Sequence, residues 1–254
     1  MCFAFDAHPP DLPSDLALPP LAGGAAAEVL ELTSADGTRF SAALAESPAG
    51  AEPAVVILPD VRGLYRFYIE LAERFAEAGH HAIAIDYFGR TAGTGARDED
   101  FEYMPHVQQT RVPDVQDDVA AAIEALGERT GATSFVTVGF CFGGSQSFAA
   151  ATNPELDLAG AVGFYGRLVP AREGAPAPIE GAPETRCPLL GLFGGADEAI
   201  PPADVEAFEG ALAQSGVEHE IVTYPGAPHS FFDRRYEEHA EACADAWRRV
   251  LSFL

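Results

Sequence analysis

Three side chains capable of covalent and proton-transfer chemistry stand in three separate loops: a thiol at Cys141, a carboxylate at Asp197 and an imidazole at His229. Gly139-Phe140-Cys141-Phe142-Gly143-Gly144 closes the strand-forming run Ser134-Phe135-Val136-Thr137-Val138 and opens an alanine-rich helical stretch. The thiol is therefore expected at a strand-to-helix turn, where small residues at 139 and 143 permit the tight backbone that lifts a nucleophile clear of a sheet. Such a turn sets a helix N-terminus beneath the sulfur, and its dipole and free amides favour both a thiolate and a developing oxyanion. Asp197 lies in Gly194-Gly195-Ala196-Asp197-Glu198 and His229 in Pro225-Gly226-Ala227-Pro228-His229-Ser230-Phe231, each loop following a strand-like run. An imidazole keeps sulfur ionised and a carboxylate fixes the imidazole tautomer, so the set reads as nucleophile, acid and base in chain order. Taken singly, His229 can cap a loop and Asp197 can bond turn amides. Their joint placement in three such loops favours catalysis.

The elements that must position these groups follow from hydrophobic periodicity. Residues 28–32 and 39–44 flank Ser34-Ala35-Asp36-Gly37-Thr38 and predict a hairpin. Ala54-Val55-Val56-Ile57-Leu58 is continuously apolar, as a strand buried on both faces requires. Residues 68–78 carry apolar side chains at helical spacing and stop at Gly79. A strand over 81–86, a long loop over 87–110 and an amphipathic helix over 112–126 come next, the helix with Asp114, Asp117 and Asp118 in its first turns. Strands over 134–138, 159–165, 188–193 and 219–224 alternate with helices, one over 204–214 and a last one from about Arg235 to Phe253. This is an α/β pattern: a mostly parallel sheet with helices on both faces and an N-terminal hairpin. Ligands in such sheets bind beyond the carboxyl ends of the strands, in the loops after residues 58, 86, 138, 165, 193 and 224. Tyr87, Tyr103, Met104, His106 and Tyr165 lie in or beside those loops and are candidate pocket linings, against the alternative of core packing or loop surface.

Composition narrows the function. The chain has 254 residues, 48% of them hydrophobic, and no charge block or linker divides it. Residues 1–27, rich in proline, alanine and glycine, read as an irregular extension laid on a domain spanning 28–254. They lack the basic and apolar regions of a signal peptide, and no stretch approaches the length of a membrane span; a cytoplasmic location is expected. The net charge is −24, and all 15 cationic side chains are arginine. Without lysine there is no phosphate-loop lysine, no Schiff base and no lysine general base. A field this acidic repels nucleic acid and anionic membranes, so neither is an expected partner. Cys2, Cys141, Cys187 and Cys243 form no Cys-x-x-Cys pair, which argues against a disulfide scaffold, a zinc ribbon and a thioredoxin-type site. His80-His81 and the His239/Cys243 pair lack further ligands nearby in sequence, and no metal site is expected. The elbow carries large side chains where a dinucleotide fingerprint needs glycine.

With these loops in hand, the chain resembles the dienelactone hydrolase family of α/β-hydrolases, whose elbow carries cysteine where most of that fold carry serine. The likeness runs over about residues 28–254. It rests on Leu58-Pro59-Asp60-Val61-Arg62-Gly63, Asp86-Tyr87-Phe88-Gly89-Arg90, the cysteine elbow, Gly163-Phe164-Tyr165-Gly166, and the Asp197 and His229 loops. The resemblance implies hydrolysis of an enol-lactone, formally a carboxymethylenebutenolide, with no cofactor and no metal. It implies an oxyanion hole from the Phe142 and Val61 amides. It sets Asp60 where the family has a glutamate that helps to deprotonate the thiol, one methylene longer; a turn or capping role is the alternative. It sets Arg90 as a ligand for a substrate carboxylate, against a surface ion pair. A second family arginine falls at Asp233, and Arg234 substitutes for it only with the loop rotated.

A small lactone or ester is the expected partner, and the chain is expected to act as a monomer or small homo-oligomer. The expected reaction is attack of the Cys141 thiolate on an activated carbonyl, because sulfur leaves more readily than an alkyl alkoxide whereas an enolate leaves well. Three rival readings stay open: a general carboxylesterase or thioesterase, a non-catalytic binding protein of the same fold, and a redox sensor pairing Cys141 with Cys187.

Overall fold

A computed structural model describes residues 7–16, 26–170 and 177–254. Its centre is one eight-stranded sheet in the order β1-β2-β4-β3-β5-β6-β7-β8. The strands are β1 (Glu28–Thr33), β2 (Arg39–Ala45), β3 (Ala51–Leu58), β4 (His80–Ile85), β5 (Phe135–Phe140), β6 (Gly160–Phe164), β7 (Leu189–Gly194) and β8 (His219–Tyr224). The hairpin β1/β2 is antiparallel and β2 runs antiparallel to β4. All pairings from β4 to β8 are parallel. Parallel strands carry their carboxyl ends to one edge, so every loop singled out in sequence opens there.

The apolar runs are continuous because helices cover both faces. From β3, Val55 and Ile57 pack on one face with α1 (Arg66–Glu77), while Ala54, Val56 and Leu58 pack on the other. Beyond β4, α2 (Gly89–Ala92) and α3 (Tyr103–Val107) break the expected 87–110 loop into short helices. A buried ion pair, Arg97 to Asp86 at 2.8 Å, ties that segment to the end of β4. Then α4 (Val112–Thr130) covers the second face with Val115, Val119, Ala122 and Leu126. It continues four residues past the expected end, to Gly131 in the left-handed region at φ 80°. The remaining helices are α5 (Phe142–Ala150), α6 (Pro178–Gly181), α7 (Pro202–Leu212) and α8 (Ala240–Phe253).

The last helix starts at Ala240 rather than near Arg235. Residues 235–239, expected to be its first turn, instead end a run of turns over 231–239, at the start of which Phe231, Phe232 and Asp233 all point inward. Three consecutive buried side chains cannot lie on one helical face, and the backbone turns at Ser230, φ 59°, to bury them.

Of the expected extension, residues 7–16 are described and hold no helix or strand beyond one turn. Their contacts run to α1 and α8. His8 meets Glu70, Asp11 pairs with Arg74, Asp15 pairs with Arg248, and the Trp247 indole N–H donates to Pro10 O at 3.2 Å. Trp247 also meets Phe75 and Phe232 edge-on at 5.2 and 5.4 Å. Truncating Phe75 to alanine should cost about 3–5 kcal/mol. Urea titration followed by fluorescence of Trp247, the chain's single tryptophan, should show a lower midpoint and a red-shifted native spectrum.

Candidate active site

Cys141 sits between β5 and α5 with φ 54° and ψ −111°, a conformation that costs a side-chain-bearing residue strain. Close backbone approach holds it there. A Cβ on Gly143 would overlap the carbonyl oxygens of Leu58 and Pro59, and one on Gly139 would overlap Gly143 O. The Cys141 amide donates to Phe164 O at 2.9 Å, and Ser147 of α5 hydrogen-bonds Thr137 of β5 at 2.8 Å beneath it. The sulfur-bearing residue is partly exposed at the N-terminus of α5, where the Phe142 amide has no intrahelical acceptor.

The loop after β3 faces this turn. Its Asp60 amide donates to Tyr68 Oη at 3.0 Å, its Arg62 amide to Asp60 Oδ1 at 2.8 Å and its Gly63 amide to Asp60 O at 3.1 Å. That leaves the Val61 amide as the one from 60 to 63 with no such acceptor among the described residues. Asp60 is buried and ion-paired with buried Arg62 at 3.3 Å, whose guanidinium lies 3.9 Å over the Tyr65 ring. Burial pushes the Asp60 carboxyl above its usual range, while Arg62 and its hydrogen bonds pull it back. Asp60 thus has the turn-bonding role and an ion-pair role together. Arg62 and Tyr68 were not singled out from sequence; the only signal was the aromatic run 65–68 beside an arginine.

His229 and Asp197 meet as expected. Nδ1 of His229 lies 2.6 Å from Asp197 Oδ2, and the other carboxylate oxygen accepts the Ala199 amide at 2.8 Å. The buried carboxylate accepts, so Nδ1 carries the proton and Nε2 keeps a lone pair. Tyr165, fully buried at φ 39°, sets its ring 5.1 Å from the His229 ring. Burial, then the charges of Asp233, Cys141 and Asp60, push the Tyr165 hydroxyl upward; burial, then Asp60, Asp86 and Cys141, do the same to Tyr87. Groups from the β3, β4, β5, β6 and β8 loops therefore share one electrostatic neighbourhood. Tyr87 donates to Pro59 O at 2.7 Å, bracing the β3 loop from the β4 side.

The two arginines expected at a substrate carboxylate are placed otherwise. Arg90 gives Nη1 to both oxygens of Asp118, each at 2.8 Å, and Nε to Asp36 at 2.9 Å. Its fork is held by carboxylates of α4 and the β1/β2 turn. Arg234 is exposed, and its amide, not its side chain, bonds Asp233 Oδ1 and Ser230 O. Asp233 is 1% exposed. Burial first, then the Asp60 charge, raise its carboxyl to about 7. Of the other candidate linings, Met104 is exposed, and His106 stacks on Phe101 with ring centroids 5.1 Å apart. Cys187 precedes β7, at the amino edge of the sheet, whereas Cys141 follows β5 at the carboxyl edge. A strand's length separates them, so Cys187 is no resolving thiol for Cys141. Among the described residues no group of three or more His, Cys, Asp or Glu could hold a metal ion, and no helix is long and apolar enough to cross a membrane.

Residues 40–254 match the sequence profile of the dienelactone hydrolase family. A Synechocystis protein described as "Putative carboxymethylenebutenolidase" is 34% identical over 222 residues, 82% of this chain and 87% of that protein. One so described from Salmonella typhimurium is 32% identical over 214 residues, 80% of this chain and 77% of the other. The crystal structure of a "Putative Dienelactone Hydrolase" from Klebsiella pneumoniae matches with a TM-score of 0.76 and 27% identity, covering 89% of this chain and 98% of that one.

Burial pushes the Cys187 and Cys243 thiols up, to about 11 and about 12. In folded protein at pH 7.5, iodoacetamide should therefore modify Cys141 well before either of them, and peptide mass mapping reads the order. Arg90→Gln should leave Asp118, raised by burial to about 6, buried without its cation. The expected cost is about 3 kcal/mol at pH 8. It should shrink at pH 5, where Asp118 is protonated, as thermal melts at both pH values will show.

Proposed function

The chain belongs to the dienelactone hydrolase family, and on that footing we propose that it hydrolyses an activated lactone or ester through a Cys141 nucleophile, with His229 as base and Asp197 as its orienting acid. The observation that carries this reading is the strained Cys141 backbone, which sets a partly exposed thiol at the head of α5. The His229–Asp197 contact supports it by leaving Nε2 as an acceptor.

In the proposed reaction the Cys141 thiolate adds to the acyl carbon. The carbonyl electrons move to oxygen, which the Phe142 and Val61 amides stabilise. The ring C–O bond then breaks, the acyl group stays on sulfur as a thioester, and the enolate leaves, taking the proton that His229 accepted from the Cys141 thiol and becoming a ketone. Water, deprotonated by His229, adds to the thioester and expels the thiolate. The product is the open-chain oxo acid. Thiolate leaves in preference to a simple alkoxide, so the scheme selects substrates whose own leaving group is stabilised. A general carboxylesterase or thioesterase is the second reading, favoured by Asp233 at the position where a carboxylate-binding arginine was expected.

The test is an assay of cis- and trans-dienelactone beside p-nitrophenyl acetate. Cys141→Ser and His229→Ala should each lower kcat/KM by about 10²–10⁴ on every substrate the wild type cleaves. Turnover of the acetate alone would remove the lactone from the assignment; no turnover of any substrate between pH 6 and 9 would remove the hydrolase reading.

A further inference from the structure

Asp233 has no role in the reaction as written, yet it is 1% exposed, and among the described residues its buried Oδ2 has no partner beyond the Tyr165 hydroxyl. That hydroxyl, buried too, has no partner beyond Asp233, and each group shifts the other's ionisation. Since the Tyr165 ring lies beside His229, this acid stands within the neighbourhood of the proposed base. Meanwhile the buried cations are committed. Arg62 holds Asp60, Arg97 holds Asp86, and Arg90 holds Asp118 and Asp36. Asp60 is thus paired with Arg62 and Asp197 with His229, whereas Asp233 is on the elbow's loops with none of these arginines as its partner.

Resting on the proposed thiol hydrolase, we propose that Asp233 sets the charge selectivity of the Cys141 site, so that it accepts uncharged lactones and esters and discriminates against acyl substrates bearing a carboxylate. A buried carboxylate repels a second one strongly because little water screens the pair. An uncharged substrate meets no such barrier.

The repulsion has a pH signature. Asp233, raised to about 7, is ionised above that pH and neutral below it. The groups facing it are Asp60 from the β3 loop, Tyr68 from α1, Tyr165 from the β6 loop, Cys243 from α8, and His229 and Arg234 on its own segment. Of these, a positive charge on His229 would also favour an anionic reagent. Comparing wild type with Asp233→Asn isolates the part owed to Asp233.

Iodoacetate and iodoacetamide alkylate the same thiolate by the same displacement of iodide and differ in charge, so their rate ratio at Cys141, divided by that for N-acetylcysteine, reads the local field. At pH 8 this normalised ratio should be about one-tenth or less in wild type. In Asp233→Asn it should rise about tenfold at pH 8 and change little at pH 6. Asp233→Ser, which also removes the charge, should behave alike and serves if the asparagine variant does not fold. A wild-type ratio of one or above, or equal ratios in wild type and both variants at pH 8, would overturn the proposal, the second result assigning the discrimination to the net charge of −24. The ester pair p-nitrophenyl butyrate and mono-p-nitrophenyl succinate gives the same comparison in kcat/KM. If Cys141 alkylates with the expected ratios but neither ester is cleaved, the hydrolase reading fails and charge selectivity stands. If the esters are cleaved but Cys141 resists alkylation, the nucleophile assignment fails, and the ester ratio decides the charge claim.

Discussion

The approach of α5's first turn to the end of β3 is the constraint on which the site depends. Gly143 lies so close to the Leu58 and Pro59 carbonyls that any Cβ would force the two segments apart. That contact fixes Cys141 at positive φ, turns the free amides at the head of α5 toward the carboxyl edge, and sets the β3 loop opposite them. The loop is braced in turn from three directions. Tyr68 accepts the Asp60 amide, Tyr87 donates to Pro59 O, and Asp60 itself holds the Arg62 amide. Each brace satisfies a backbone group that would otherwise be buried unpaired. Among the described residues the Val61 amide of this loop has no such acceptor, so the rigidity of the surroundings and the availability of that donor have the same origin.

The second organising feature is charge. Taking Asp60 and Arg62 out of water together costs less than taking either alone, and the pair is further held by the Tyr65 ring. The same logic joins Arg97 to Asp86 at the root of the 87–110 segment and Arg90 to Asp118 beneath the β1/β2 turn. These arginines therefore anchor loops. A chain with 39 acidic and 15 basic residues can commit its buried cations in this way and still keep carboxylates to spare. Asp233 is one that received no cation, and burial keeps it partly protonated near neutrality instead.

Much of this was legible in the sequence, for identifiable reasons. Strands buried on both faces leave continuous apolar runs, as at residues 54–58, and a helix stop is marked by glycine at 79 and again at 131. The elbow was legible because its glycines are demanded by backbone contact, and the His229–Asp197 contact because both residues follow strands that end at one edge. Side-chain partnerships across elements were not. Arg90 precedes Asp118 by a helix and a half of chain, and nothing local announces that α4 will deliver a carboxylate to it. The start of α8 was misplaced because residues 235–239 have helical composition, while the turns that occupy them continue from the burial of Phe231, Phe232 and Asp233, which the shape of the core decides.

These features combine at the elbow. In the proposed reaction an anion forming on Cys141, whether thiolate or oxyanion, is answered by the α5 amides, the Val61 amide and a proton on His229. Amides are fixed dipoles, whereas the His229 proton is supplied only when the imidazole has accepted it. In the proposed mechanism the attacking state is a thiolate paired with a protonated His229 that Asp197 holds. Neighbouring carboxylates are tolerable to such a pair because it is neutral overall. On the proposed charge selectivity, a substrate that brings its own carboxylate adds a charge with no partner beside Asp233, so a site that tolerates a neutral thiolate–imidazolium pair still opposes an anion that approaches it.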